Sequence, residues 1–148
     1  MLITGSSSGV GEATAKLFAE RGFNVVATMR NPETSKSLDT TPNLIKERLD
    51  MEDTESIDYA IKVAVEKFGG IDLVINNAGY GQYGVFEGTP IEKIRKNFDV
   101  NVFGYMNVMQ RIIPIFRQQG GGIILNIGSC GGILACLLVR VTFQQNSH

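Results

Sequence analysis

The sequence offers little from which to build a metal or redox centre. It has no tryptophan, two cysteines and a single histidine, His148, which stands at the last position and is expected to be inert. Cys130 and Cys136 lie close together but outside any metal-ligand or Cys-x-x-Cys spacing, so they read as reduced, cytosolic thiols. Charge of one sign is also scarce. Fourteen lysines and arginines against 15 aspartates and glutamates leave a net charge of −1, and nothing in that balance points to a nucleic-acid or anionic-membrane partner. A basic leader segment is not seen either. Met1 runs straight into Leu2-Ile3-Thr4-Gly5, so no secretory signal is read and a cytoplasmic location is expected.

One uncharged run is long enough to mislead. Gly120–Val139 is 20 residues without a charge, flanked by Arg117 and Arg140. Six of those residues are glycine, and Asn126 and Ser129 interrupt the rest. Each glycine costs a helix about 1 kcal/mol relative to alanine. The segment is therefore expected to be a buried strand over 122–128 followed by a loop, not a membrane span.

What is present is alternation. Leu2-Ile3 ends a short strand; Val10, Ala13, Thr14, Leu17 and Phe18 follow helical spacing up to a stop at Gly22. Val25–Thr28 reads as a second strand, and Asn31-Pro32 as the opening of a short helix. Leu44–Leu49 is half polar and so expected near a sheet edge. Asp53 caps a helix whose buried stripe is Ile57, Ala60, Ile61, Ala64 and Phe68, ended by Gly69-Gly70. Ile71–Ile75 is a strand buried on both faces. Thr89-Pro90-Ile91-Glu92 reads as a capping box that opens a long helix to about Gln118, kinked at Pro114. Ile123-Ile124-Leu125 is the last strand. Five strands with helical crossovers predict an α/β doubly wound parallel sheet in one domain.

Between the first strand and the first helix lies Thr4-Gly5-Ser6-Ser7-Ser8-Gly9-Val10-Gly11. A helix N-terminus presents unpaired N–H groups and partial positive charge to a phosphate. Glycines there allow a tight turn and a close approach by a pyrophosphate, and Ser7 and Ser8 add hydroxyls. Without its flanking elements the same string would be an ordinary glycine-serine turn; with them it reads as a dinucleotide site. No Gly-Lys-Ser/Thr follows, so it is not a P-loop.

The spacing Gly5-x-x-x-Gly9-x-Gly11 resembles the short-chain dehydrogenase/reductase family, and four further segments are similar to that family's marks. Asn76-Asn77-Ala78-Gly79 follows the fourth strand, where the family motif steadies the sheet and lines the adenosine ribose. Leu49-Asp50-Met51 matches the place of the aspartate that contacts the adenine amino group. Asp99-Val100-Asn101-Val102 matches the segment of the catalytic asparagine, and Asn126-Ile127-Gly128-Ser129 that of the catalytic serine. Singly, Asn101 is an ordinary polar helix residue and Ser129 an ordinary turn serine. Five segments in the right order make the resemblance specific over residues 1 to 136.

The resemblance implies a Rossmann fold and hydride transfer between a nicotinamide cofactor and an alcohol or ketone. It implies cofactor contacts at Gly5, Ser7, Ser8, Gly9, Val10, Gly11, Asp50, Met51, Asn77, Ala78 and Gly79, and catalytic roles for Asn101 and Ser129. No metal is implied; a small-molecule substrate is, and a homo-oligomer is compatible with it. The end of the second strand, Ala27-Thr28-Met29-Arg30-Asn31, has no carboxylate before Glu33. An acid there would bind the ribose of NAD, whereas Arg30 suits the 2′-phosphate of NADP, so NADP(H) is expected over NAD(H). The plainer reading of Arg30 is a solvated surface arginine. The Ala-Thr-Met-Arg-Asn-Pro string is also similar to hydroxysteroid-dehydrogenase-like members, which hints at an extended hydrophobic substrate.

Family chemistry further needs a tyrosine that exchanges a proton with the substrate oxygen and a lysine four residues later that lowers its pKa. The sequence has no tyrosine after Tyr105 and no lysine after Lys96. The family tyrosine lies 13 residues after the serine, a position held here by Thr142; the lysine position is Asn146. The expected organisation is an incomplete NAD(P)-binding domain over 1–136, truncated after the fifth strand, and a tail over 137–148 foreign to the family. A one-base shift of reading frame lets that tail encode Tyr-Leu-Ser-Thr-Lys-Phe, with the tyrosine at the position of Thr142. The chain as given is expected to be inactive. The alternative is a truncated paralogue that binds a dinucleotide or a partner without turnover. A methyltransferase shares the glycine turn but does not explain Asn76–Gly79 or Asn126–Ser129.

Overall fold

The computed structural model describes residues 1–128. Expectations for Ser129, the two cysteines, His148 and the tail over 137–148 lie outside them. The chain runs β1 (Leu2–Thr4), α1 (Gly9–Glu20), β2 (Val25–Met29), β3 (Leu44–Arg48), α2 (Thr54–Phe68), β4 (Leu73–Asn76), α3 (Ile91–Phe98), α4 (Gly104–Gln119) and β5 (Ile123–Asn126). All five strands pair in parallel, in the order β3-β2-β1-β4-β5. This is the doubly wound α/β arrangement the alternation predicts. The order reverses between β1 and β4, the place where open parallel sheets bind ligands.

Two apolar layers cover the sheet, and strand alternation assigns residues to them. Leu2, Val26 and Val74 face Ile57, Ala60, Ile61 and Ala64 of α2 and Val108, Ile112 and Phe116 of α4. Their neighbours Ile3, Val25, Ala27 and Ile75 face Ala15 and Ala19 of α1, with Leu38 closing the layer. Burial on both faces explains why β1, β2 and β4 read as unbroken apolar runs. As its half-polar sequence predicts, β3 is an edge strand.

Helix ends follow local chemistry. Asp53 accepts a hydrogen bond from Ser56 N at 3.1 Å, a side-chain N-cap, and Gly69 ends α2 in the left-handed region with φ 79°. Gly22 follows α1 with φ 87°, as expected of its stop.

Several local expectations are corrected. The buried stripe of α1 is Gly11, Ala15 and Ala19, whereas Val10 and Leu17 are exposed. At Gly11 the glycine turn leaves no room for a Cβ, and Ala15 and Ala19 pack on Ile3, Val25 and Ala27 of the sheet. Phe68 is only half-buried at the end of α2. Asn31-Pro32 opens a single 3-10 turn, Pro32–Thr34, and a second such turn spans Lys36–Leu38. The strand expected over Ile71–Ile75 begins two residues later, although Ile71 is buried.

No capping box forms at Thr89. Pro90 is the cap residue, and the Thr89 hydroxyl instead donates to the Val85 carbonyl at 2.9 Å, closing the preceding turn. The long helical region does not depart from regular geometry first at Pro114, which lies inside α4. It widens into a π-helical turn over Asp99–Phe103, between α3 and α4. Finally, β5 is not buried: Ile123 is 65% and Leu125 47% exposed, because among the described residues β5 has a neighbouring strand on one side only.

Candidate functional site

Parallel pairing puts the ends of β1, β2, β3 and β4 at one edge of the sheet, and with them the segments singled out by sequence. These are Gly5–Gly11 after β1, Arg30 after β2, Asp50 and Met51 after β3, and Asn77–Gly79 after β4. Their convergence follows from topology, since each crossover helix returns the chain to start the next strand in the same direction.

The glycine turn is tied down on both sides. Ser6 N donates to the Thr28 carbonyl of β2 at 2.9 Å, and the buried Ser6 hydroxyl donates to the Ile3 carbonyl at 3.2 Å. On the β4 side, Thr4 Oγ1 accepts hydrogen bonds from both Asn77 N and Ala78 N, each at 3.0 Å. The Asn77 amide then donates to the carbonyls of Thr4 and Gly5, again at 3.0 Å each. Asn77 thus splices β4 to the turn rather than standing open to a ligand through its side-chain nitrogen. Sequence reasoning assigned Thr4 no role of its own. Its signal was a threonine at the last position of an apolar strand, where a hydroxyl has no reason to be buried unless it is bonded.

Glycine is required here for two different reasons. A Cβ at Gly11 would stand 2.3 Å from the Gly5 carbonyl oxygen and 2.5 Å from Asn77 Nδ2, so no side chain fits. Gly9 has φ 60° and nothing within 4 Å of where its Cβ would be. The first position demands internal packing; the second leaves open space in front of the helix N-terminus. Ser8, the cap residue of α1, makes no side-chain capping bond, and Ser7, Ser8 and Val10 are exposed. The turn therefore offers open space at Gly9, hydroxyls without an intramolecular capping role and a helix N-terminus, a chemistry that fits a pyrophosphate.

Arg30 is exposed at the exit of β2 and forms no ion pair among the described residues. Asp50 is half-buried, and its Oδ1 accepts from Glu52 N at 3.1 Å. Met51 differs from its neighbours: its side chain is 4% exposed and belongs to the core. It packs on Gly104, where a Cβ would stand 2.7 Å from Met51 Cβ. Only the Met51 backbone is left for a ligand.

Asn101 sits in the π-helical turn and joins the site through Tyr80. Its Oδ1 accepts Tyr80 N at 3.1 Å and its Nδ2 donates to the Tyr80 carbonyl at 2.9 Å. Asn97 donates to the same carbonyl at 2.8 Å. A Cβ at Gly79 would lie 3.0 Å from Asn101 Oδ1, so the Asn77–Gly79 segment and Asn101 are in direct register. The Tyr105 hydroxyl also borders this segment, 3.9 Å from where a Cβ at Gly79 would stand. Burial raises the Tyr105 pKa, and the hydroxyl donates to the Ile127 carbonyl at 3.4 Å. A phenol pushed in that direction is the wrong group to shuttle protons near neutral pH.

Residues 1–139 match the short chain dehydrogenase family. The chain belongs to that family. An uncharacterized oxidoreductase of Schizosaccharomyces pombe is 41% identical over 133 residues, covering 89% of this chain and 45% of that protein. A 7α-hydroxysteroid dehydrogenase complexed with NADH and 7-oxo glycochenodeoxycholic acid superposes with a TM-score of 0.81 at 28% identity, covering 88% of this chain and 53% of that one. A gluconate 5-dehydrogenase of Burkholderia cenocepacia, in complex with NADP and tartrate, gives 0.77 at 29% identity, covering 86% and 52%. This short-chain dehydrogenase sequence therefore spans about half the length of the relatives it matches. Relatives hold either nicotinamide dinucleotide, so family membership alone does not choose between them. Among the described residues no helix is long and apolar enough to cross a membrane.

Proposed function

We propose that this chain is the dinucleotide-binding portion of an NADP(H)-dependent oxidoreductase acting on an alcohol or ketone. When bound, the nicotinamide would supply or accept the hydride. In this reading Gly5, Ser7, Ser8, Gly9, Val10 and Gly11 surround the pyrophosphate. Asp50 and the Met51 backbone meet the adenine, and Ala78 and Gly79, held by Asn77, border the adenosine ribose. Asn101 would hold a proton-relay water, and Ser129 would orient the substrate oxygen. The substrate is a small molecule and the setting cytoplasmic.

The observation that carries the NADP(H) preference is Arg30. It is exposed at the exit of β2 with no ion-pair partner among the described residues, and no carboxylate stands between the start of β2 and Glu33. A guanidinium free of internal partners is suited to a terminal phosphate. The test is calorimetric titration of NADPH and NADH into the wild-type chain and Arg30→Ala. Weakened NADPH binding with NADH nearly unchanged supports the reading; equal affinity of the wild type for both cofactors contradicts it.

Turnover is a separate matter. No tyrosine follows Tyr105 and no lysine follows Lys96, which favours a second reading for the chain as given: a dinucleotide-binding or partner-binding module without catalysis. NADPH oxidation by the purified chain with a ketone panel should equal the blank. Turnover abolished by Ser129→Ala would contradict this.

A further inference from the structure

The connection from β2 to β3 carries Arg30 at its start and is pinned further along. Leu38 is 1% exposed within the α1-side layer. Lys46 of β3 donates to the Ser35 carbonyl at 3.2 Å and pairs with Asp39 at 2.5 Å. The remaining tie runs to α1: the Ser37 hydroxyl donates to Glu12 Oε1 at 2.7 Å. Glu12 directly follows Gly11 in the first turn of α1, and the same oxygen accepts Lys16 Nζ at 2.6 Å.

A carboxylate beside a phosphate-binding turn needs a reason. The helix dipole favours it slightly, but an anionic ligand would be repelled by it. Here one carboxylate oxygen, Oε1, takes both hydrogen bonds, and the pKa is lowered by those from Lys16 and then Ser37. Glu12 links the end of the glycine turn to the segment that follows Arg30, 25 residues away in sequence.

We propose that the Glu12–Ser37 hydrogen bond sets the position of the Arg30-bearing connection against the glycine turn, and so tunes recognition of a 2′-phosphate. Glu12 and Ser37 are then positioning residues for cofactor choice and touch no cofactor themselves. The inference rests on the NADP(H) reading above. Two substitutions break the bond from opposite sides. Ser37→Ala removes the donor with no change of charge, and Glu12→Ala removes the acceptor. Glu12→Gln removes the charge but keeps an acceptor for Ser37.

Calorimetric titration of NADPH and NADH into these chains tests the proposal. Ser37→Ala and Glu12→Ala should each weaken NADPH about tenfold and NADH less than about twofold, the scale of one charge-assisted hydrogen bond. The double variant should be no weaker than Glu12→Ala, and Glu12→Gln should stay within about threefold of wild type. An unchanged NADPH/NADH ratio in Ser37→Ala overturns the proposal. So does tighter NADPH binding by Glu12→Ala, which would make Glu12 a repulsive charge only. Equal loss for both cofactors would mark a structural role and also overturn it. Arg30→Ala separates the two claims. If it leaves the ratio unchanged, the NADP(H) reading fails; if it collapses the ratio while Ser37→Ala does not, only the Glu12–Ser37 proposal fails.

Discussion

Asn101 and Tyr80 bind each other through both ends of one amide: the Asn101 Oδ1 accepts the Tyr80 N–H, and its Nδ2 donates to the Tyr80 carbonyl. The pair joins the π-helical turn to the loop that follows Asn77–Gly79. Its energetic worth has a sign that can be read. On an ordinary helix surface, alanine would gain up to about 0.7 kcal/mol from propensity. Losing two backbone partners costs about 1–2 kcal/mol. Asn101→Ala is therefore expected to destabilise by roughly 1 kcal/mol in urea unfolding. A stabilised variant would show that the pair contributes nothing.

The glycine turn should separate folding from binding. Gly11→Ala places a methyl 2.3 Å from the Gly5 carbonyl oxygen, and should destabilise by more than about 2 kcal/mol. Gly9→Ala meets no atom and should cost only the left-handed strain, about 1–2 kcal/mol. Its methyl nevertheless fills the space offered to a pyrophosphate, so dinucleotide binding should be lost from a folded protein. Thermal melts beside calorimetry distinguish the two variants. Comparable melting losses in both would contradict this account.

Acid should weaken the cap of α2. The Asp53 carboxyl is held below the ordinary carboxylate range by Arg48, at 2.8 Å, and then by the Ser56 N–H. A folded-state pKa below the unfolded one gives stability that is present above the unfolded value and lost as pH falls through the folded value. Glu12 acts in the same sense. Glu47, raised by burial, acts oppositely and loses stability as pH rises through its own range. Asp53→Asn keeps a competent cap residue but removes the titration. The expected result is a flatter decline of the urea midpoint between about pH 6 and pH 3 than in wild type. Parallel curves would mean that Asp53 does not contribute.

The exposed edge at β5 favours association. Ile123, Leu125 and Ile127 are 65%, 47% and 40% exposed, and Met106 of α4 is 47% exposed. Bare strand edges beside apolar surface pair with other chains. Val102, one turn before Met106, is 36% exposed, whereas Val108 is fully buried against the sheet and takes no part. Light scattering over a concentration series should show mass growth, reduced by Leu125→Lys. A monomer at all concentrations would contradict the expectation.

The architecture was legible because parallel strands buried on both faces leave long apolar runs, and Leu2-Ile3, Val25–Ala27 and Val74-Ile75 are such runs. The site's outline was legible for a related reason: strand ends converge, so a motif placed after a strand is also placed in space. What escaped the sequence depends on contacts made at a distance. Thr4 and Asn77 are 73 positions apart, and nothing local says that one hydroxyl takes two N–H groups from the other segment. The π-helical turn at Asp99–Phe103 carries no proline or glycine to announce it, and Pro114, where a kink was expected, lies inside α4. The face of α1 was misjudged because hydrophobicity was taken as the guide where closeness of approach decides.

The central claim is that the edge formed by Gly5–Gly11, Arg30, Asp50 and Asn77–Gly79 binds a nicotinamide dinucleotide. The most direct measurement is a backbone amide NMR titration of the chain with NADP+. The account predicts saturable shifts concentrated at Gly5, Ser7, Gly9, Gly11, Arg30, Met51 and Gly79. A spectrum that does not change, or shifts confined to the groove between α2 and α4 around Asp58 and Arg111, would contradict it.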